Sequence, residues 1–243
     1  MGEYTRRFYR EHIHAAGLVS FQVAVEESDL LIFAGRDLAE EARISLARHR
    51  AGLEDFISRQ PRFEASYQPY EVPDDSPEVV RLMAYAADKA RVGPMAAVAG
   101  AIAELVGKDL LVSSSDIIVE NGGDIFIHSE RERKVGIFAA ESPLSGRLAL
   151  RVPPTPPQGL GVCTSSATVG PSYSAGGADS ALVVANSAAL ADAAASALGN
   201  RAKSPDHIEE ALASVLDIEG VSGCLLIIGE HLGLRGDIEL ASL

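Results

Sequence analysis

The chain has 243 residues, 47% hydrophobic but only 5% aromatic and without tryptophan, so its core must be built from Ala, Val, Leu and Ile. That is enough apolar material for one large domain, or for two intimately fused halves, without disulfide or metal staples. A formal charge of −13, from 21 basic and 34 acidic residues, opposes binding to polyanions and excludes nucleic acid and anionic membrane surfaces as expected partners.

In chain order, Met1 to Glu11 is basic and aromatic with no apolar segment after it, so no signal peptide or lipoprotein leader is expected. No apolar run approaches the length of a membrane span, and the expected location is cytoplasmic. The cluster Arg6-Arg7-Phe8-Tyr9-Arg10 could be read as RNA-binding, but the acidic balance favours a docking or homo-oligomer contact. His12 and His14 have no third ligand in sight and read as surface residues. Strands are expected over Gly17–Val25 and Leu30–Phe33, then a long amphipathic helix capped by Asp37 and ended by Pro61. Residues 62–75 read as extended.

Ser76-Pro77-Glu78 is a helix start, with a capping hydroxyl, proline at the first helical position and then an acid. That helix runs to Arg91. Pro94 opens a second, Met95 to Val106, ended by Gly107. A hairpin follows around Asn121-Gly122-Gly123-Asp124, then strands over Val135–Ala139 and Leu148–Val152. Pro153, Pro154, Pro156 and Pro157 make a stiff connection between halves at about 1–152 and 158–243, read together as one domain over 1–243. In the second half Gly161–Ser166 is a strand entering a polar turn, and 170–177 is a glycine-rich loop. Ala181–Ala185 is a buried strand, and a helix runs from Ser187 to Gly199-Asn200. Ser204-Pro205-Asp206 starts another helix, and strands Cys224–Ile228 and Ile238–Leu240 close the chain. The class is α+β.

Met95–Gly107 and Ser187–Gly199, paired in register, match at Ala96/Ala188, Ala97/Ala189, Ala99/Ala191, Ala101/Ala193, Ala103/Ala195 and Gly107/Gly199. Every match is Ala or Gly, so composition explains much of it. Helices this smooth can nevertheless pack closely, and the comparison suggests an internal duplication with two Ala-rich helices at its centre.

Three places carry candidate chemistry. The turn Asn121-Gly122-Gly123-Asp124 is a tight hairpin on its plainest reading. On the functional reading its glycine N–H groups hold a phosphate, with Asn121 and Asp124 beside it. Asp192 and Ser196 stand four residues apart, hence on one face of the second Ala-rich helix. They are an oxygen pair suited to Mg²⁺, or else an acid and a filler serine on a surface helix. Thr164, Ser165 and Ser166 offer hydroxyls and turn N–H groups for a phosphate or ribityl group, or simply cap a turn. The loop from Ser172 to Gly177 could fold over a ligand. Cys163 and Cys224 have no metal-ligand spacing and read as buried free thiols in a reducing compartment. The sequence carries no P-loop, nucleophile elbow, complete dinucleotide fingerprint or His-Glu-x-x-His.

These elements, in this order, resemble the ApbE-like superfamily, whose best-known members are flavin transferases. Val119–Ile125 is similar to that family's Asn-x-Gly-Gly-Asp-Ile hairpin, Thr164-Ser165 to its Thr-Ser-Gly turn, and Ser187–Ala193 to its metal-binding helix. The likeness is closest to a short, leaderless, cytoplasmic branch of uncharacterised proteins. It is carried by Val92-Gly93-Pro94-Met95-Ala96-Ala97-Val98-Ala99-Gly100, Val119–Ile125 and Thr164-Ser165-Ser166, and runs from about Phe8 to Leu240. The resemblance implies binding of FAD, FMN or another phosphate-bearing nucleotide. Asn121, Gly122, Gly123 and Asp124 would lie on one side of it, Thr164, Ser165 and Ser166 on the other, with Mg²⁺ on Asp192 and Ser196. The transferases move FMN from FAD onto a threonine hydroxyl of a partner protein. Here the family's Lys-Gly-x-Ala-Val-Asp string is replaced around Met95–Ala99. Pro171-Ser172-Tyr173-Ser174 stands in place of its His-x-x-Asp-Pro loop, Ala167 stands where the uncharacterised branch prefers glycine, and Ser196 replaces a threonine. Transfer is therefore not expected to survive intact. The other reading implied by that branch is a non-catalytic partner protein in sulfur assimilation, serving homocysteine formation.

Overall fold

The computed structural model describes residues 15–165 and 177–243. The N-terminal basic cluster, His12, His14, Ser166, Ala167 and the loop from Gly170 to Gly176 lie outside the described residues.

An eight-stranded, wholly antiparallel sheet has the order β1-β2-β3-β4-β7-β8-β9-β10. Its strands are β1 Val19–Val25, β2 Ser28–Ala34, β3 Ile117–Asn121, β4 Asp124–His128, β7 Leu160–Ser165, β8 Ser180–Ala185, β9 Val221–Ile228 and β10 His231–Gly236. A three-stranded sheet, β11-β6-β5, is formed by Glu239–Ser242, Leu148–Val152 and Arg133–Ile137. The helices are α1 Ala39–Arg59, α2 Arg62–Ala65, α3 Glu78–Ala90, α4 Val98–Leu110, α5 Ala188–Arg201 and α6 Ile208–Leu216. This is an α+β fold.

Strand alternation divides the core. Val119, Phe126 and Cys163 face α1, α3, α4 and α5 in one apolar cluster, whereas Ile127, Val162, Leu182, Val184, Leu225 and Ile227 face the small sheet in another. A third cluster packs α6 and the end of α5 on β8 and β9. The eight-stranded sheet has a repeated order of elements. Each half is two strands, then helices, then two strands, and the two sets of four lie side by side in the same order. α4 and α5 are not counterparts in this repeat, because α4 directly precedes the third strand of its half while α5 directly follows the second strand of the other.

Several boundaries depart from the sequence expectation for physical reasons. Gly107 does not end α4, which continues to Leu110. A Cβ at Gly107 would stand 2.2 Å from Cδ1 of Phe126, so this glycine lets the helix settle onto the sheet. Ser76 does not cap α3; its hydroxyl is buried without a partner among the described residues and the cap position falls on Pro77. Residues 62–65 form the short α2 that seats Phe63 in the core between Phe56 and Tyr70. The strand β10, His-Leu-Gly-Leu-Arg-Gly, was not expected at all, because its two glycines read as loop. Ser187 does cap α5, its hydroxyl accepting from the Leu190 N–H, and Asp37 accepts from the N–H of Ala39 at 2.9 Å.

Among the described residues no single helix is long and apolar enough to cross a membrane. The bent pair formed by α3 and the segment Pro94–Leu110 has the composition for it, but α4 is almost wholly buried within the protein.

Candidate functional site

α5 is apolar nearly all round because it is enclosed all round: seven alanines, two leucines and Gly199 on it are buried. Such a helix can lie against β7, β8, α3 and α4 at once only if its neighbours are also smooth. Gly161 on β7 and Gly100 on α4 supply that smoothness. A Cβ at Gly161 would lie 2.4 Å from the Ala188 Cα, and one at Gly100 would lie 2.2 Å from the Ala188 carbonyl oxygen. The surface-helix reading of Asp192 is thereby corrected, since Asp192 and Ser196 are the two polar, half-buried positions within a central helix.

The close approach brings Asp192 to the N-terminus of α4. Its Oδ2 accepts the Gly100 N–H at 2.9 Å. The complementary contact comes from Glu104 on α4, whose Oε2 accepts from the Ser187 hydroxyl at 2.6 Å and the Ala189 N–H at 3.2 Å. Each helix thus places a carboxylate on the positive end of the other.

The glycine hairpin reaches the same corner. Gly122 and Gly123 are the two turn residues, at φ 71° and 105°. The Asn121 side-chain N–H donates to the Ala99 carbonyl at 3.1 Å, which ties the hairpin to the start of α4. Asp124, opening β4, is only 8% exposed, and its Oδ1 is buried with no hydrogen-bond partner among the described residues. Glu120, ending β3 and also buried, accepts the Gly123 N–H at 2.8 Å. Thr164 lies across the hairpin, its carbonyl oxygen 3.9 Å from where a Gly123 Cβ would stand. Ser165 follows it, half-buried, at the end of β7. Cys163 is fully buried, its thiol donating to the Ala188 carbonyl at 3.3 Å.

The electrostatics follow from enclosing like charges. Burial pushes the Asp192 carboxyl up to about 7 from an ordinary 3.8, against the pull of the Gly100 and Ala99 backbone. Asp124 is raised well above the carboxylate range, first by burial and then by the charge of Asp192, while Cys163 and the Thr164 backbone pull the other way. The Cys163 thiol is pushed well above its ordinary value by burial and then by both aspartates, so it is an inert thiol.

The sequence-predicted residues Asn121, Gly122, Gly123, Asp124, Thr164 and Asp192 are therefore brought to one corner. The hairpin is both a plain tight turn and a wall of that corner. What sequence reasoning missed is the pair of glutamates, Glu104 and Glu120. The signal was available: Glu104 interrupts the apolar run Val98–Val106, and Glu120 directly follows the apolar Ile117–Val119. Aligned on the glycine pair and Asp124, Glu120 rather than Asn121 also stands where the family motif has its asparagine.

With this geometry established, comparison with known proteins places the chain. A family model described as AbpE bacteria matches residues 10–228. The chain belongs to this family, within the ApbE-like superfamily. Its relatives include UPF0280 proteins from archaea. One from Methanococcus maripaludis is 40% identical over 222 residues, covering 89% of this chain and 90% of its own length. One from Methanocella arvoryzae is 46% identical over 193 residues, covering 79% and 78%. Among solved structures, the H257G mutant of the flavin transferase ApbE from Vibrio cholerae superposes with a TM-score of 0.59 at 13% identity, covering 91% of this chain and 97% of that one. The apo flavinyl transferase ApbE of Pseudomonas stutzeri gives 0.57 at 12% identity, covering 90% and 94%. At such identities the ApbE structures establish a shared fold.

Proposed function

We propose that this ApbE-like protein binds a flavin, FAD or FMN, or another phosphate-bearing nucleotide together with Mg²⁺ at the corner formed by Asp192, Asp124 and the glycine hairpin. The observation that carries the reading is the buried, unpartnered Oδ1 of Asp124 beside a second enclosed carboxylate, Asp192. A buried carboxyl whose proton affinity is raised further by a second one beside it is relieved by a cation between them. Among the described residues no three His, Cys, Asp or Glu side chains form a cage. Mg²⁺ takes one or two carboxylates and leaves the rest of its shell to water and phosphate oxygens.

Asp192 and Asp124 would hold the ion, with the Ser196 hydroxyl one turn further along α5. When bound, the ion would neutralise charge on a phosphoryl group. Asn121 fixes the hairpin against α4, while Gly122 and Gly123 keep its tip free of side chains. Thr164 and Ser165 would bound the ligand from the β7 side. FMN transfer is not part of the proposal, since the lysine-bearing string and the histidine loop are replaced in this sequence.

The test is a thermal melt with FAD, with and without Mg²⁺, on protein inspected for bound flavin after purification. A melting temperature raised by FAD plus Mg²⁺ but not by FAD in chelator supports the reading. No shift with any flavin or adenine nucleotide, together with co-purification of another enzyme, would instead favour the partner-protein role in sulfur assimilation.

A further inference from the structure

A glycine hairpin beside a helix N-terminus is ordinarily an anion site, because both present backbone N–H groups. In this corner one donor of each kind is already taken by an acid. The Gly123 N–H points at Glu120 Oε1 at 2.8 Å, and the Gly100 N–H at Asp192 Oδ2 at 2.9 Å. Glu120 is 1% exposed, so water does little to screen it. A third acid, Asp124, interacts electrostatically with both and has one oxygen unpartnered. A bare phosphate entering here would meet three carboxylates and an amide it would have to take from one of them.

We propose that Glu120 is the residue that sets the charge selectivity of the corner: its carboxylate closes the hairpin amide to phosphate, so the empty protein admits a cation first and a phosphate only behind it. The inference rests on the ligand reading above and deepens it by giving the order of binding and the residue responsible. Glu120 acts here as a positioning residue. It holds the Gly123 amide, and through that hydrogen bond keeps the hairpin wall negative on the side that faces Asp124.

Inorganic pyrophosphate is the probe, its affinity measured by calorimetry in EDTA and in Mg²⁺ on the full chain. Two variants are used. Glu120→Ala removes both the charge and the occupant of the amide, and Glu120→Gln removes the charge while keeping the side chain's shape should the alanine variant fail to fold. The expected result is no measurable pyrophosphate binding by the parent protein in EDTA, and at least about a tenfold gain in metal-free affinity in either variant. Parent protein that binds pyrophosphate equally with and without Mg²⁺, or variants that show no metal-free gain, would overturn the inference. Failure of the function proposal reads differently. If FAD with Mg²⁺ never binds the parent protein, the ligand is wrong, whereas the metal-free gain in the Glu120 variants still reports on selectivity.

Discussion

Glu104 and Asp192 cap each other's helices. Glu104 extends from α4 to the first turn of α5, and Asp192 extends from α5 to the first turn of α4, with Gly100 and Ala188 in close approach between them. Two helix dipoles thereby meet two carboxylates in one small volume. Asp192 also interacts electrostatically with Asp124, at the end of the hairpin. Asp192 therefore has a structural role as the acceptor of the Gly100 N–H, and the corner inherits its charge.

The contact leaves no room for a methyl group at 100. Gly100→Ala would drive a Cβ to within 2.2 Å of the Ala188 carbonyl oxygen and 2.8 Å of the Asp192 Cβ. Backbone cannot yield as a side chain can, so the expected loss is about 3 kcal/mol. That corresponds to roughly 10 °C in melting temperature for a domain of this size. A calorimetric melt within about 2 °C of the parent would show that α4 and α5 are further apart than described.

Glu104→Ala strips the Ser187 hydroxyl and the Ala189 N–H of their acceptor and leaves Lys108 without its 2.6 Å partner. The ammonium of Lys108 is well exposed and resolvates, so the cost comes mainly from the helix start, about 2–3 kcal/mol. Urea denaturation should show a lower midpoint with an unchanged slope. Glu104→Gln, which keeps one acceptor oxygen, should recover roughly half of the loss.

Asp192 makes the empty protein less stable as pH rises. Unfolded, its carboxyl ionises near 3.8; folded, near 7. The folded state therefore binds the proton more tightly, so the stabilisation is fully present below about 4 and is lost as pH climbs through 7. Asp124 is shifted in the same direction. In chelator, the melting temperature should fall between pH 5 and pH 8 by more than it does in Asp192→Asn. Mg²⁺ should reverse the trend at pH 8, where Asp192 is charged. A melting temperature that rises over this range in chelator would contradict the burial of these acids.

Much of this was legible in the sequence where side-chain period and turn chemistry agree. The Asn-Gly-Gly-Asp hairpin, the Ser187 cap and the strands around Leu150 and Val183 follow from local rules alone. Gly107 and β10 were misread because their glycines serve tertiary neighbours, Phe126 for the first and Ile208 for Gly233, rather than local turns. For the site, the sequence supplied Asp192 and the hairpin but not their relation to the glutamates. Glu120 closes an amide only three residues away, yet nothing in strand periodicity says which way an acid at a strand end will turn. The reciprocal capping by Glu104 spans 85 residues and depends on how two helices cross, which no local pattern encodes.

The central claim is that Asp124 and Asp192 together hold one divalent cation. Mn²⁺ binding followed by electron paramagnetic resonance, on nucleotide-free protein at pH 8, reads it directly. The account predicts one bound Mn²⁺ per chain in the parent protein, competed by Mg²⁺, and at least about tenfold weaker binding in both Asp124→Asn and Asp192→Asn, each folded by circular dichroism. Mn²⁺ affinity left unchanged by both substitutions would mean that the two carboxylates are buried for packing alone, and that the ion, if there is one, sits elsewhere.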